Sequence, residues 1–374
     1  MRAQQNAHSP ALGSSDRLSR LSDFGSNPGA LQARFYLPDN LSRDAPLVVV
    51  LHGCTQNAAG YDYNSGWSQL ANEAGVVLLY PEQQRANNPN LCFNWFLPAD
   101  TARDRGEALS IRQMIEAIVV THGLDRKRIF VTGLSAGGAM AVAMLAAYPE
   151  LFAAGGVIAG LPYGSATTVP EAFDRMRGHG GPSEQELQRL VQRASSHKGP
   201  WPRLSIWQGS ADHTVAPSNA EAISSQWRGL HKLGNAPTHS GNEGGWTKKV
   251  WCDKAGEAKV EVNTITGMGH GTPLGDDGLG TPGPYMLQVG ISSTRKIAQF
   301  WGIAETGKGA SAGSRFTGPG GERRPRPSRM PDMVAETTQS AALSQAASVA
   351  RSAGDPHGVK KIIDDALRAA GLIR

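Results

Sequence analysis

The segment from Arg128 to Tyr148, RIFVTGLSAGGAMAVAMLAAY, constrains this chain more than any other. An apolar, β-branched run enters Gly133-Leu134-Ser135-Ala136-Gly137 and passes without a break into a small, Ala-rich helical pattern that stops at Pro149. A serine at so sharp a strand-to-helix turn must adopt strained backbone angles, and side chains two residues to either side would collide with neighbouring backbone. Glycine at 133 and at 137 removes those side chains. A helix beginning at Ala136 also sets a free N–H and a positive dipole end beside the Ser135 hydroxyl. Ser135 is therefore the candidate nucleophile, and the Ala136 N–H a candidate donor to a developing oxyanion.

The rest of the chain repeats the same rhythm. Leu47 to Leu51, Val76 to Tyr80, Arg128 to Thr132, Leu204 to Gln208 and Lys259 to Thr266 read as strands, the last one near an edge because it alternates. Ala108, Ile111, Ile115, Ile118 and Val119 recur at helical spacing between two of them. Strand and helix in alternation predict an α/β fold with a mostly parallel central sheet covered by helices on both faces. The expected layout is an N-terminal extension over 1–26 and a catalytic domain over 27–304, with an inserted cap at about 163–202 over one end of the sheet. A disordered Gly/Pro/Arg-rich linker over 305–330 and a helical tail over 331–374 complete it. Val359, Ile362, Ile363, Ala366, Leu367 and Ala370 give that tail an apolar stripe, suited to its own domain, a partner or a granule surface.

Composition excludes several classes. With 40% hydrophobic and 18% charged residues the chain is no disordered polyelectrolyte. Four of its five net positive charges fall from Glu305 onward, so a basic face for nucleic acid is not expected on the folded body. No stretch reaches the length of a membrane span, and the first thirty residues lack the apolar core of an export signal. The expected location is cytoplasmic, with secretion by another route left open.

A serine needs a base, and the base an orienting carboxylate, in the chain order Ser, Asp, His for this architecture. His270 lies in the glycine-dense turn Gly267-Met268-Gly269-His270-Gly271 after the last strand. Asp212 follows LSIWQ through Gly209-Ser210-Ala211 and so emerges at a carboxyl end. Asp276 and Asp277 come after His270, Asp253 precedes its strand, and His213 is a neighbour better placed for the surface. LVVVL continues into His52-Gly53-Cys54-Thr55-Gln56, which offers the Cys54 N–H as the second oxyanion donor and His52 as a loop brace. Such chemistry calls for no metal and no organic cofactor. The near P-loop from Gly302 to Gly309 lacks its final Ser/Thr and is set aside.

HGCTQNAAGYDYNSGW, VVLLYPEQ, NLCFNWF, VTGLSAGGAM, IWQGSADHTVAP and GMGHGTP, in this order, resemble the polyhydroxybutyrate (PHB) depolymerase family of α/β-hydrolase esterases, which is also similar to feruloyl and acetyl-xylan esterases. The resemblance runs from about Asn27 to Trp301 and implies the same Ser135, Asp212 and His270. It also implies that Cys54 and Cys92 lie close together as a disulfide bracing the oxyanion loop, although a cytosolic protein would keep them reduced. The activity it implies is hydrolysis of short-chain 3-hydroxyalkanoate esters, polymeric or oligomeric, with an aryl or acetyl ester on plant polysaccharide as the alternative. Secreted members carry an export signal and usually a polymer-binding domain. Neither is recognisable here, so attack on crystalline polymer is not carried over. A different class of expectation is a granule-associated protein with an inert hydrolase body. Of Trp67, Trp95, Trp207 and Trp246, Trp95 is the candidate substrate contact.

Overall fold

The computed structural model describes residues 17–305. The linker and terminal helix expected beyond them lie outside the described residues, as does most of the N-terminal extension. Ten strands form one sheet: β1 Ser19–Arg20, β2 Gln32–Tyr36, β3 Leu47–Leu51, β4 Val77–Glu82, β5 Ile129–Leu134, β6 Ala154–Ile158, β7 Arg203–Gly209, β8 His239–Glu243, β9 Trp246–Cys252 and β10 Ala258–Ile265. Their order is β1-β2-β4-β3-β5-β6-β7-β10-β9-β8. The run from β4 to β10 is parallel throughout, with β2 and β1 added antiparallel at one side and β9 and β8 at the other. The sheet thus begins at Ser19, ahead of residue 27. β11 Thr272–Leu274 and β12 Met286–Gln288 make a separate small ladder.

β3 shows why its apolar residues are continuous. Leu47, Val49 and Leu51 enter one core with the helices Gly106–His122, Ala136–Ala147 and Ser218–Leu230, while Val48 and Val50 enter a second with Ala58–Ser65, Trp67–Ala74 and Ser293–Trp301. Each face has its own helical layer, so no position along the strand is left for a polar residue. β6, AGGVI, has no apolar run to announce it, and the reason is mechanical. A Cβ on Gly155 would press into Leu145 on one side, and one on Gly156 would lie 2.7 Å from Ile297 Cγ2 on the other. Helices bear on this strand from both faces, and glycine makes the room.

β10 corrects the expectation of a near-edge strand. Its alternating polar residues are buried, and the sheet continues past it through β9 and β8. Glu261 Oε1 accepts from Ser205 Oγ at 2.7 Å and from Asn263 Nδ2 at 3.1 Å, its Oε2 pairs with Lys248 Nζ at 2.6 Å, and Trp246 Nε1 donates to Asn263 Oδ1 at 3.1 Å. Polar side chains that satisfy one another across strands can occupy an interior face. The segment expected as a cap divides in two. Helix Val169–Met176 brings Ala172 into a small apolar cluster with Ala136, Ala139 and Val215 at the carboxyl ends of the strands. Helix Glu184–Ala194 instead joins the first helical layer through Leu187 and Val191.

One polar hub fixes the loop that carries Cys92 and Trp95. Glu107, fully buried, accepts from Gln83 Nε2 at 2.6 Å and from the Asn94 N–H at 2.9 Å. Gln83 also donates to the Cys92 carbonyl at 3.0 Å, and its own N–H reaches His52 Nε2 at 3.1 Å. Burial, helped by the nearby Asp100 charge, pushes the Glu107 carboxyl up from 4.5 to about 8 against these hydrogen bonds. The native state therefore holds this proton more tightly than the unfolded chain. The resulting stability is complete below the ordinary carboxylate pKa and is lost as pH rises through about 8. Glu107→Gln should flatten that part of the slope, so melting temperatures measured from pH 5 to 9 should fall less for the variant than for the wild type; parallel curves would refute the assignment. A second prediction concerns Trp301, buried and stacked on Phe130 and Trp67 with ring centroids 5.0 and 5.8 Å apart. Trp301→Ala should cost about 3–5 kcal/mol by denaturant titration, and a loss below about 1 kcal/mol would show the stack to be dispensable.

Candidate active site

β5 is buried along its whole length and delivers Ser135 at φ 58° and ψ −119°, directly before helix Ala136–Ala147. A positive φ on a non-glycine residue costs roughly 1–3 kcal/mol and persists only where the surroundings enforce it. Here they do. The Ser135 N–H donates to the Ile158 carbonyl at 2.9 Å, and the Ser135 carbonyl accepts from Ala139 N at 2.9 Å. A Cβ on Gly133 would overlap the Gly137 carbonyl, and one on Gly137 would overlap the carbonyls of Leu51 and His52. The two glycines foreseen from sequence are thus the points at which helix and strand ends touch backbone to backbone.

Asp212 and His270 meet as expected from their strand-end positions. His270 Nδ1 lies 2.7 Å from Asp212 Oδ2, with the carboxylate fully buried and the imidazole nearly so. Oδ1 of the same carboxylate accepts from the Thr214 and Val215 N–H groups at 2.9 and 2.8 Å. A carboxylate surrounded by donors holds the imidazole proton on Nδ1 and leaves Nε2 with its lone pair free. The two loops are locked together: the Ala211 N–H donates to the Met268 carbonyl at 3.0 Å, and a Cβ on Gly209 would overlap the carbonyls of Met268 and Gly269. Val215 and Ala136 share one apolar cluster, which joins the Asp212 turn to the serine elbow. Among the described residues no hydrogen bond links the Ser135 hydroxyl to His270.

The loop from His52 to Gln56 is braced at nearly every group. Gly53 N–H donates to Gln56 Oε1 at 2.8 Å, Thr55 N–H to the Asn90 carbonyl at 2.7 Å and Gln56 N–H to the Gly53 carbonyl at 3.3 Å. Of the N–H groups from 53 to 56, the one on Cys54 has no acceptor among the described residues. The Ala136 N–H opens a helix and likewise has no intrahelical partner. His52 is buried and braces the loop: Nδ1–H donates to the Gly53 carbonyl at 2.8 Å, and Nε2 accepts from Gln83 N–H. Burial lowers its pKa to about 4, so the ring is neutral at ordinary pH. Cys54 and Cys92 form a disulfide, with Cα atoms 4.2 Å apart, that ties the loop to the segment bearing Trp95.

Trp95 is 8% exposed and packs in the cluster of Ala136, Ala139, Leu161, Ala172 and Val215, next to the first residue of the elbow helix. Trp67 and Trp207 are core residues, and Trp246 stacks on Trp207 at 6.1 Å. The remaining acids are structural: Asp276 accepts from Gln288, Asp277 pairs with Arg295, and Asp253 caps a turn and pairs with Lys259. His213 is exposed. Two residues near the pair went unread in the sequence. Gln208 donates to Asp212 Oδ2 at 3.0 Å; its signal was an amide directly after Ile206-Trp207 at the end of a buried strand. Tyr285 stands edge-on to the imidazole, ring centroids 6.0 Å apart, on a strained φ of 62°, and no local motif marks it.

The family model described as esterase PHB depolymerase matches residues 31–248, which include Ser135 and Asp212. A poly(3-hydroxyalkanoate) depolymerase C of Paucimonas lemoignei is 45% identical over 291 residues, covering 76% of this chain and 70% of that protein. A feruloyl esterase B of Talaromyces funiculosus is 30% identical over 270 residues, 68% of this chain and 73% of the other. Among solved structures, an acetyl xylan esterase from Aspergillus awamori superposes with a TM-score of 0.67 at 26% identity, covering 77% of this chain and 99% of that one. With a family model over more than half its length and a relative at this identity, the chain belongs to the PHB depolymerase family of esterases.

Proposed function

We propose that the chain hydrolyses short-chain 3-hydroxyalkanoate esters, as polymer or oligomer, through an acyl-serine on Ser135. The observation that carries this is the buried 2.7 Å contact between His270 Nδ1 and Asp212 Oδ2 at the rim that also holds the strained Ser135 turn. In the proposed cycle His270 Nε2 takes the Ser135 proton as Oγ attacks the ester carbonyl. The carbonyl electron pair moves onto oxygen, where the N–H groups of Cys54 and Ala136 hold it. Asp212 supports the imidazolium, which passes its proton to the departing alcohol oxygen. Water, deprotonated by the same imidazole, then releases the acid and restores Ser135. The poly(3-hydroxyalkanoate) depolymerase C relative supports this substrate class.

The catalytic unit in this proposal runs from β1 to the helix ending at Trp301. We further propose that the apolar stripe of 359–370 meets a granule or partner surface, and that the Cys54–Cys92 bond places the enzyme in oxidising surroundings rather than the cytoplasm. Among the described residues no helix is long and apolar enough to cross a membrane. Leu367→Asp should reduce co-sedimentation with polyester granules while turnover of a soluble ester is kept; unchanged sedimentation would remove the stripe from consideration.

Turnover tests the central proposal. Ser135→Ala should lower kcat on 3-hydroxybutyrate oligomers by on the order of 10⁶-fold, and a fluorophosphonate should label Ser135 alone. Hydrolysis of these oligomers should exceed that of methyl ferulate. The opposite order would favour the carbohydrate-esterase alternative, for which the feruloyl and acetyl xylan relatives speak. No turnover of any ester by the intact protein would favour the inert granule-associated body.

A further inference from the structure

We infer that Gln208 is a positioning residue for this esterase, its side-chain amide fixing Asp212 and sharing with His270 the charge on Oδ2. The inference rests on the roles proposed above for Ser135, Asp212 and His270.

Gln208 lies in β7, between Trp207 and Gly209, and is 1% exposed. Its Nε2 donates to Asp212 Oδ2 at 3.0 Å and to the Val215 carbonyl at 3.1 Å, with the Gly209 carbonyl at 3.4 Å. Every neighbour of that nitrogen is an acceptor, so the amide is held in one sense; turned over, its oxygen would face a carboxylate and two carbonyls. The other end of the same amide has the opposite fate. Among the described residues Gln208 Oε1 is buried with no hydrogen-bond partner. An orphaned buried acceptor is destabilising, a penalty that leucine or methionine here would avoid. A stability-driven choice would not put glutamine at this position, whereas a requirement for one N–H aimed at Asp212 would.

The chemistry follows from how the four donors divide. Backbone N–H groups of Thr214 and Val215 hold Oδ1, and Gln208 and His270 share Oδ2. The Gln208 bond keeps Oδ2 from swinging off the imidazole and draws part of its charge away from Nδ1–H. Without it, Oδ2 would bind the imidazolium more strongly and less directionally, and more of the resting enzyme would carry a protonated base at a given pH. The titratable groups facing the imidazole among the described residues are Asp212, from the loop after β7, and Tyr285, from the turn before β12.

The test compares wild type, Q208M and Q208E on a soluble 3-hydroxybutyrate ester from pH 5 to 9, with melting temperatures alongside. For Q208M we expect kcat about tenfold lower, KM within about twofold, and the acid limb of kcat/KM moved up by about half a pH unit, with a melting temperature no lower than wild type. Q208E, which keeps the shape but sets a carboxyl against Asp212, should move the limb further in the same direction. It serves as the readout if Q208M does not fold. A limb that stays at the wild-type position in the folded variants overturns the inference, whether or not stability has dropped. Activity retained by Ser135→Ala would sink the triad itself. An inactive Ser135→Ala beside a Q208M with an unmoved limb would sink the role of Gln208 alone.

Discussion

At Gly137 there is no room for one more carbon. The helix that follows Ser135 is seated so closely on the ends of β3 that a Cβ there would overlap the carbonyls of Leu51 and His52. That contact sets the height at which the Ser135 hydroxyl stands above the sheet, and it brings the loop from His52 to Gln56 beside the same turn. The Cys54 and Ala136 N–H groups proposed to hold the oxyanion come from segments more than eighty residues apart in the chain, brought together where these two pieces of backbone touch. Everything else about the site is arranged around this seat: β6 lends the Ile158 carbonyl to Ser135, and the loops after β7 and β10 close the opposite side.

The site also divides its work between rigid and polar material. On one side Ala136, Ala139, Leu161 and Val215 form an apolar cluster with Trp95. On the other, Asp212 gathers four donors, and behind the loop from His52 to Gln56 a second polar chain runs from His52 through Gln83 to Glu107. Both networks consist of groups that would be costly to bury alone, and each is anchored to backbone N–H groups that cannot move far. Charges and dipoles held in this way need little reorganisation when an oxyanion forms.

How much of this could be read from the chain alone follows the range of the interactions. The elbow was legible because its requirement is local: a strand, two glycines, a serine and a helix in immediate succession. Asp212 and His270 were legible through topology, since both follow strands and lie in glycine-rich loops. β6 was not, because its glycines answer to Leu145 and Ile297, residues that only the fold places there. The true position of β10 was hidden for a similar reason. Alternation normally marks a half-exposed strand, but Ser205, Lys248 and Trp246 from neighbouring strands satisfy Glu261 and Asn263 in the interior. Gln208 lies only four residues before Asp212, and Tyr285 follows His270 by a single loop, but both contacts depend on how the intervening turns fold, and no spacing rule encodes that.

The outermost strands carry a consequence of their own. β1 is only two residues long, and β8, at the far side, reads His-Ser-Gly-Asn-Glu with every residue exposed. An open parallel sheet is a ready template for a foreign strand, and natural folds deter such recruitment with brevity or with polar, charged margins. This molecule uses one device at each end. A neighbouring copy that lined up along either margin would find few rungs on one and no greasy side chain to bury on the other, so crowding need not turn into stacking.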